Sequence, residues 1–386
     1  MTSLRVAMIG HGFMGAAHSQ GWRVAPRFFE LPAFPEMTLL VGRNAEGVTA
    51  DASRWGWSET SNDWREAIAR DDIDVIDIVT PGDTHAEIAI AALEAGKHVL
   101  CEKPLGNSVA ETEAMSAAAE KALAKGVFAM VGFTYRRVPA ATFARDLVAA
   151  GRLGEIHQVR ASYLQDWLID PEVPLVWRLQ KEYAGSGALG DIGAHAIDLS
   201  EFITGMRLTS VSGILETVIK RRPVLESTSG LGGTGGSELG DVTVDDVALF
   251  TGRYDNGVLG TFEATRFATG RKNALRVEVS GSKGALSFDL EDLNSLQFYD
   301  ATAPATEQGF TKILVTEPDH PYVSAWWPAG HMLGYEHGFA HQAKDIVEAI
   351  SSATQPTPSF ADGLHVQRVL GAIEASSGAA SAWTDV

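Results

Sequence analysis

The chain has 386 residues, 45% hydrophobic and 21% charged, an ordinary globular composition. Single cores stop growing at roughly 250–300 residues, so two domains are expected. The formal net charge of −18 and the lack of a basic run argue against nucleic acid or an anionic membrane surface as partner. No apolar stretch approaches the roughly twenty residues of a membrane span. A strand-like segment begins at Leu4 and leaves no room for a signal peptide, while Cys101 is the single cysteine and permits no internal disulfide, so a cytoplasmic setting is expected.

Residues 4–9 read as a strand running into glycines, with a helix from Ala16 to Val24. Further strands fall at 37–41, 74–79, 98–101 and 127–133, with helices at 84–95 and 109–125. Gly96 stops the first of these helices, and Ser108 with Glu111 forms a capping-box pattern before the second. Strands alternating with helices predict a parallel, doubly wound sheet of Rossmann type over residues 1–133. A different pattern follows over 134–386. There is a helix at 139–150, a long strand at 155–167 and a helix at 188–204. Consecutive strands at 209–220, 243–254, 257–267, 273–281 and 284–289 come next, with Asn256-Gly257 as a hairpin turn. Helices at 336–353 and 361–375 close the chain. The fold class is α/β, a Rossmann domain followed by an α+β domain with a large, mostly antiparallel open sheet. Thr228–Asp241 holds six glycines in fourteen residues and is expected to be a mobile surface loop.

Gly10-His11-Gly12-Phe13-Met14-Gly15 joins the first strand to the first helix. Glycines there allow a tight turn and close backbone approach, and the helix N-terminus favours the charge of a dinucleotide pyrophosphate. The second strand ends Val41-Gly42-Arg43-Asn44, without the carboxylate that reads the ribose hydroxyls of NAD. Arg43 can pair with the 2′-phosphate of NADP, or it can stack on adenine and leave either cofactor acceptable. NADP is preferred on this reading. Thr80, Pro81 and His85 follow the third strand, at the edge where an open α/β sheet binds its ligand. They are expected to line the nicotinamide side, a helix-start hydrogen bond being the other reading of His85.

Glu102-Lys103-Pro104 lies just past an apolar strand at the same edge, where an ammonium can stabilise a developing alkoxide. Asp191 and His195 are four apart on a helical pattern and share a face. An imidazole suits proton removal at neutral pH, and Asp191 either accepts from a substrate hydroxyl or orients the histidine. A buried pair that only holds the helix is the other reading. No metal is expected.

In this order, the glycine motif, Thr80-Pro81 with His85, Glu102-Lys103-Pro104 and Asp191-Ile192-Gly193-x-His195 resemble the Gfo/Idh/MocA family. The resemblance implies an NAD(P)-dependent oxidoreductase of sugars or polyols and an open sheet that mediates homodimer or homotetramer contacts. It also implies that Gly10, Gly12, Phe13, Met14, Gly15 and Glu102 serve the cofactor. Lys103, Asp191 and His195 match the catalytic set, with His195 as proton acceptor. Tyr163-Leu164-Gln165-Asp166-Trp167, Trp177-Arg178 and Trp327-Pro328-x-Gly330-His331 are similar to the branch of levoglucosan, pyranoside and inositol dehydrogenases. Tyr135, Arg136, Gln165, Trp167, Arg178 and His331 are therefore candidate sugar contacts. An inositol dehydrogenase, a nonenzymatic dinucleotide-binding regulator and a ring-cleaving or epimerising enzyme that recycles its cofactor are the rival readings.

Overall fold

The computed structural model describes residues 2–229 and 232–386. Contacts divide the chain into two compact units, Met1–Thr134 with Tyr335–Gln367, and Tyr135–Gly334 with Arg368–Val386.

In the first unit six parallel strands form one sheet in the order β3-β2-β1-β4-β5-β6. They are β1 (Thr2–Ile9), β2 (Ala33–Val41), β3 (Glu59–Ser61), β4 (Val75–Ile78), β5 (His98–Cys101) and β6 (Ala129–Val131). The helices α1 (Phe13–Phe28), α2 (Ala45–Trp55), α3 (Trp64–Ala69), α4 (His85–Glu94) and α5 (Val109–Leu123) connect them. The central strands are apolar nearly throughout, as burial on both faces demands; all four residues of β4 are buried. Strand order reverses between β1 and β4, so the ligand edge lies at their carboxyl ends. The cap before α5 forms in part as expected. Ser108 Oγ accepts from the Glu111 N–H, but the Glu111 carboxylate accepts from the Asn107 N–H, one residue earlier than a closed capping box.

Residues 335–367, read from the sequence as part of the second domain, pack with the first unit. The helix His337–Ser351 lies on α1, and Gly21 of α1 permits the approach: a Cβ there would stand 2.6 Å from the Phe339 carbonyl oxygen.

The second unit carries a nine-stranded sheet in the order β16-β15-β14-β13-β7-β12-β11-β8-β17, antiparallel except where β7 meets β12. Its strands are β7 (Ile156–Leu164), β8 (Leu208–Glu216), β11 (Val247–Tyr254), β12 (Leu259–Thr265), β13 (Ala274–Gly281), β14 (Gly284–Asp289), β15 (Ser295–Asp300), β16 (Thr311–Leu314) and β17 (Thr384–Asp385). The helices α6 (Pro139–Ala149) and α8 (Ala194–Thr204) cover one face; α7 (Lys181–Ala184) is a single turn. Along β11 buried and exposed residues alternate, as a sheet with one covered face requires.

The glycine-rich segment is not a loop. It forms β10 (Gly232–Asp241), which pairs antiparallel with β9 (Arg221–Ser229); residues 230 and 231 lie outside the described residues. Glycine allows the ribbon to close where side chains would not fit, since a Cβ on Gly235 would stand 2.4 Å from the Pro223 Cβ. At its root Arg222 is fully buried and donates to the carbonyls of Leu168 and Asp170. The apolar cluster of Leu168, Val176, Leu179, Val242 and Val244 packs nearby, with Leu225 against it.

Candidate active site

In the first unit β1 runs into Gly10, whose φ of +112° lies in the region glycine tolerates. A Cβ there would meet the Val79 carbonyl oxygen at 2.9 Å. One on Gly15 would meet the Gly10 carbonyl oxygen at 2.8 Å, so this glycine brings α1 close to the turn. Gly12 is different: a Cβ would touch nothing, and the space over it is open. Gly12 is also the N-cap of α1, no side chain caps the helix, and no acid lies in its first turn. The backbone N–H groups there suit a pyrophosphate, so the motif fits a dinucleotide. Phe13 is half exposed beside it and Met14 is partly buried.

At the end of β2, the His11 ring lies over Gly42 and leaves no room for a side chain there, while its Nδ1 is 2.9 Å from Asp51. Asn44 caps α2 by accepting from the Gly47 N–H, and Arg43 is exposed. After β4, Thr80 and Pro81 are partly buried; Thr84 Oγ1 donates within reach of both the Thr80 hydroxyl and the Pro81 carbonyl. His85 is buried, with its ring nitrogens 2.9 Å from the Thr80 carbonyl and 3.0 Å from the Pro104 carbonyl. It ties the loop after β4 to the loop that carries Lys103.

Lys103 is partly buried and follows Glu102, which is fully enclosed. Beneath this turn lies a group the sequence reading missed. His18 of α1 is buried between Asp77, at 2.9 Å from Nδ1, and Glu102, at 3.0 Å from Nε2; the Trp22 indole also donates to Asp77 at 2.7 Å. Asp77 carried the signal, because a carboxylate inside the apolar strand Val75–Ile78 requires a partner. Burial alone disfavours charge on His18, but the two carboxylates outweigh it and raise the imidazole to about 10. A histidine with ordinary affinity near 6.5 when unfolded then stabilises the fold in full below about pH 6.5, and that contribution is gone once pH passes about 10. The free energy of unfolding should therefore fall between these limits. His18→Gln should flatten the fall in urea titrations; an unchanged slope contradicts the assignment. Cys101 is buried and burial pushes its thiol up, as expected of an inert apolar side chain.

The second unit gathers most of the other candidates. The expected continuous helix over 188–204 opens instead with a π-helical turn, Leu189–Gly193, before α8. The Asp245 carboxylate holds its start, accepting from the N–H groups of Gly187 and Leu189 at 2.7 Å each. Gly187 packs so closely on the Asp245 backbone that no Cβ fits. Asp191 lies in the π turn and accepts from Arg266 Nη2 at 2.9 Å, with the Arg266 side chain fully buried. His195 is partly buried in the first turn of α8, its ring 4.6 Å from that of Tyr135 and 5.9 Å from that of Tyr163.

From Tyr135 a chain of hydrogen bonds crosses the sheet. Tyr135 and Tyr163 hydroxyls are 2.8 Å apart, Tyr163 reaches Asn273 Oδ1 at 2.6 Å, Gln165 reaches the same oxygen at 2.8 Å, and the Trp167 indole reaches Gln165 at 3.0 Å. Arg266 stands 5.5 Å over the Trp167 ring, which brings this chain back to Asp191. Burial lowers the proton affinity of Arg178, with Asp191 opposing and Arg266 reinforcing the effect. Its guanidinium stacks on Trp177 at 4.3 Å. Tyr135, Gln165, Trp167, Arg178, Asp191 and His195 thus belong to one neighbourhood, joined by Tyr163, Asn273 and Arg266. Arg136 binds Asp198 through a forked pair at 2.6–3.0 Å. His331 is exposed and bonded to the Pro328 carbonyl, apart from this chain of contacts. Arg266 had a faint sequence signal, a lone cation directly after the strand Leu259–Thr265; Asn273 had none.

Comparison with known proteins agrees with both halves. Residues 4–133 match the oxidoreductase family model with an NAD-binding Rossmann fold, and residues 142–287 match the GFO/IDH/MocA C-terminal domain. Levoglucosan dehydrogenase of Pseudarthrobacter phenanthrenivorans is 41% identical across 100% of this chain and 99% of that protein. A levoglucosan dehydrogenase solved in complex with NADH and L-sorbose is 40% identical and superposes with a TM-score of 0.94 over 100% of this chain and 99% of the other. An oxidoreductase domain protein from Kribbella flavida is 61% identical with a TM-score of 0.95, each chain covered in full. With a glycine cradle shaped for a dinucleotide in one unit, and an acid–imidazole pair beside an open sheet in the other, the chain belongs to the Gfo/Idh/MocA family of oxidoreductases.

Proposed function

We propose that this oxidoreductase converts a secondary hydroxyl of a sugar, anhydrosugar or glycoside to a ketone, with NAD(P) as the cofactor. The observation that carries the reading is His195, ringed by Tyr135 and Tyr163, one turn beyond an Asp191 held by a fully buried arginine. His195 takes the hydroxyl proton, Asp191 orients the hydroxyl or the imidazole, and the Lys103 ammonium stabilises the oxyanion as it develops. Gln165, Trp167 and Arg178 bind the polyol, whose apolar C–H face suits an indole and whose hydroxyls suit amide and guanidinium groups. Gly10, Gly12 and Gly15 with the N-terminus of α1 hold the pyrophosphate; Phe13, Met14, Thr80, Pro81 and His85 line the remainder of that cleft edge, and Glu102 fixes the lysine turn. A bound nicotinamide supplies the acceptor for the carbinol hydride.

The relative named for levoglucosan, similar along the whole chain, supports an anhydrosugar or pyranoside. A second reading, inositol oxidation, is favoured by a scyllo-inositol 2-dehydrogenase of Bacillus subtilis, 30% identical over 73% of each chain. A panel of levoglucosan, monosaccharides, methyl glycosides and inositols, assayed with both cofactors by nicotinamide absorbance, separates the two. Turnover confined to inositols overturns the first reading, and no turnover at all overturns both.

Arg43 supports a preference for NADP, since it follows β2 where a ribose-binding carboxylate is missing; the NADH-bound relative is the argument for NAD. The expected result is a lower KM for NADP than for NAD, with Arg43→Ala raising the first by about tenfold, the loss of one charge-assisted contact. A strong NAD preference that Arg43→Ala leaves intact contradicts it. The uncovered sheet face supports self-association: Leu249 and Ile214 are register partners there and both are exposed. A dimer or tetramer by light scattering is the expected outcome.

A further inference from the structure

The hydrogen-bond chain in the second unit has a fixed direction. An indole N–H only donates, so the Gln165 atom that meets Trp167 is its carbonyl oxygen. The other end of that amide is then Nε2, a donor, so the Asn273 atom it meets is Oδ1. Oδ1 only accepts, which commits the single Tyr163 hydroxyl proton to it and makes Tyr135 the donor to Tyr163. Trp167 thereby sets the orientation of every group as far as Tyr135. At the junction stands Asn273, its oxygen occupied by two donors and its backbone N–H bonded to Glu291. Its Nδ2 has no hydrogen-bond partner among the described residues, and the residue is only partly buried.

We propose that Asn273 is a specificity-determining residue whose locked amide N–H groups donate to an ether oxygen of the substrate (ring, glycosidic or anhydro-bridge), and so select pyranosides over cyclitols. A hydroxyl can turn to donate or accept, but an ether oxygen only accepts, and a donor that cannot rotate is its complement. A cyclitol puts a CH(OH) carbon where the ring oxygen would be, and its hydroxyl oxygen stands off the ring, out of line with an N–H group aimed at the ring position. The amide is then desolvated without a partner, at a cost of about 1–3 kcal/mol, or roughly 5–150-fold in affinity. The inference rests on the proposal that this face binds the polyol.

Asn273→Asp separates reading from support. Aspartate keeps an oxygen for Tyr163 and Gln165 to donate to, while its second oxygen repels an ether. The measurement is the ratio of kcat/KM for levoglucosan to that for myo-inositol, with Ki replacing kcat/KM for a compound that binds without turnover. The expected result is a ratio lowered by about tenfold or more in Asn273→Asp and in Asn273→Leu, with NAD(P)H affinity by fluorescence equal to the parent's. Equal losses on both compounds overturn the proposal and leave Asn273 as a support for its neighbours; no loss on either also overturns it. Failure of the functional reading looks different: the parent protein then turns over neither compound nor any other polyol of the panel, and this inference falls with it.

Discussion

Replacing Lys103 by methionine should lower kcat by about 10²–10³-fold while cofactor affinity changes little, the cost usual for removing one donor to a developing oxyanion. Methionine keeps most of the stem and its packing, so loss of charge is isolated from loss of volume. The turn beneath has ties that do not involve the ammonium. Glu102 is held by the His18 imidazole, and the Pro104 carbonyl by His85. The variant should therefore fold, and a thermal midpoint close to the parent's is part of the expected result. Equal turnover in Lys103→Met, measured with saturating polyol and cofactor, removes the lysine from the chemistry.

The second large effect is expected at His195. Asparagine in its place preserves a polar group at the start of α8 but removes the base, and kcat/KM should fall by about 10²–10⁴-fold. Raising the pH should restore part of the rate, because hydroxide can then take the substrate proton in place of the imidazole. A purely structural histidine would behave otherwise. Its loss would lower stability and disturb Tyr135 and Tyr163, whose rings pack around it, with no return of rate in alkali. Asp191 is the control. Asp191→Asn keeps the volume but leaves the buried Arg266 without its carboxylate, so it should cost stability as well as rate.

The Rossmann half was readable because its signals are local. A glycine turn, an apolar strand and a capping serine each act within a few residues, and the parallel strands of the central sheet are hydrophobic nearly throughout, Asp77 being the exception in β4. Its edge was not, as α2, α3 and the three-residue β3 carry too little periodicity to stand out. The glycine-rich ribbon was misread because composition reports flexibility. What makes β10 a strand is a partner, β9, whose root is fixed by the buried Arg222. Likewise residues 335–367 join the first unit through contacts such as the close approach at Gly21, some three hundred residues away in sequence and invisible there.

In the site, motif residues were legible and their supports were not. Lys103, Asp191 and His195 stand in short recognisable strings, whereas His18 and Asn273 matter through distant partners, Glu102 and Tyr163 among them. Arg266 shows the same limit. It follows β12 as a lone cation, and only the π turn that carries Asp191 gives it a role.

Levoglucosan carrying deuterium on its secondary carbinol carbons, incubated with excess enzyme and oxidised cofactor, tests hydride transfer itself. One deuterium at C4 of the reduced nicotinamide for each ketone formed is the predicted result. Ketone or any other product formed while the label exchanges into water, or stays entirely on the sugar, would contradict it.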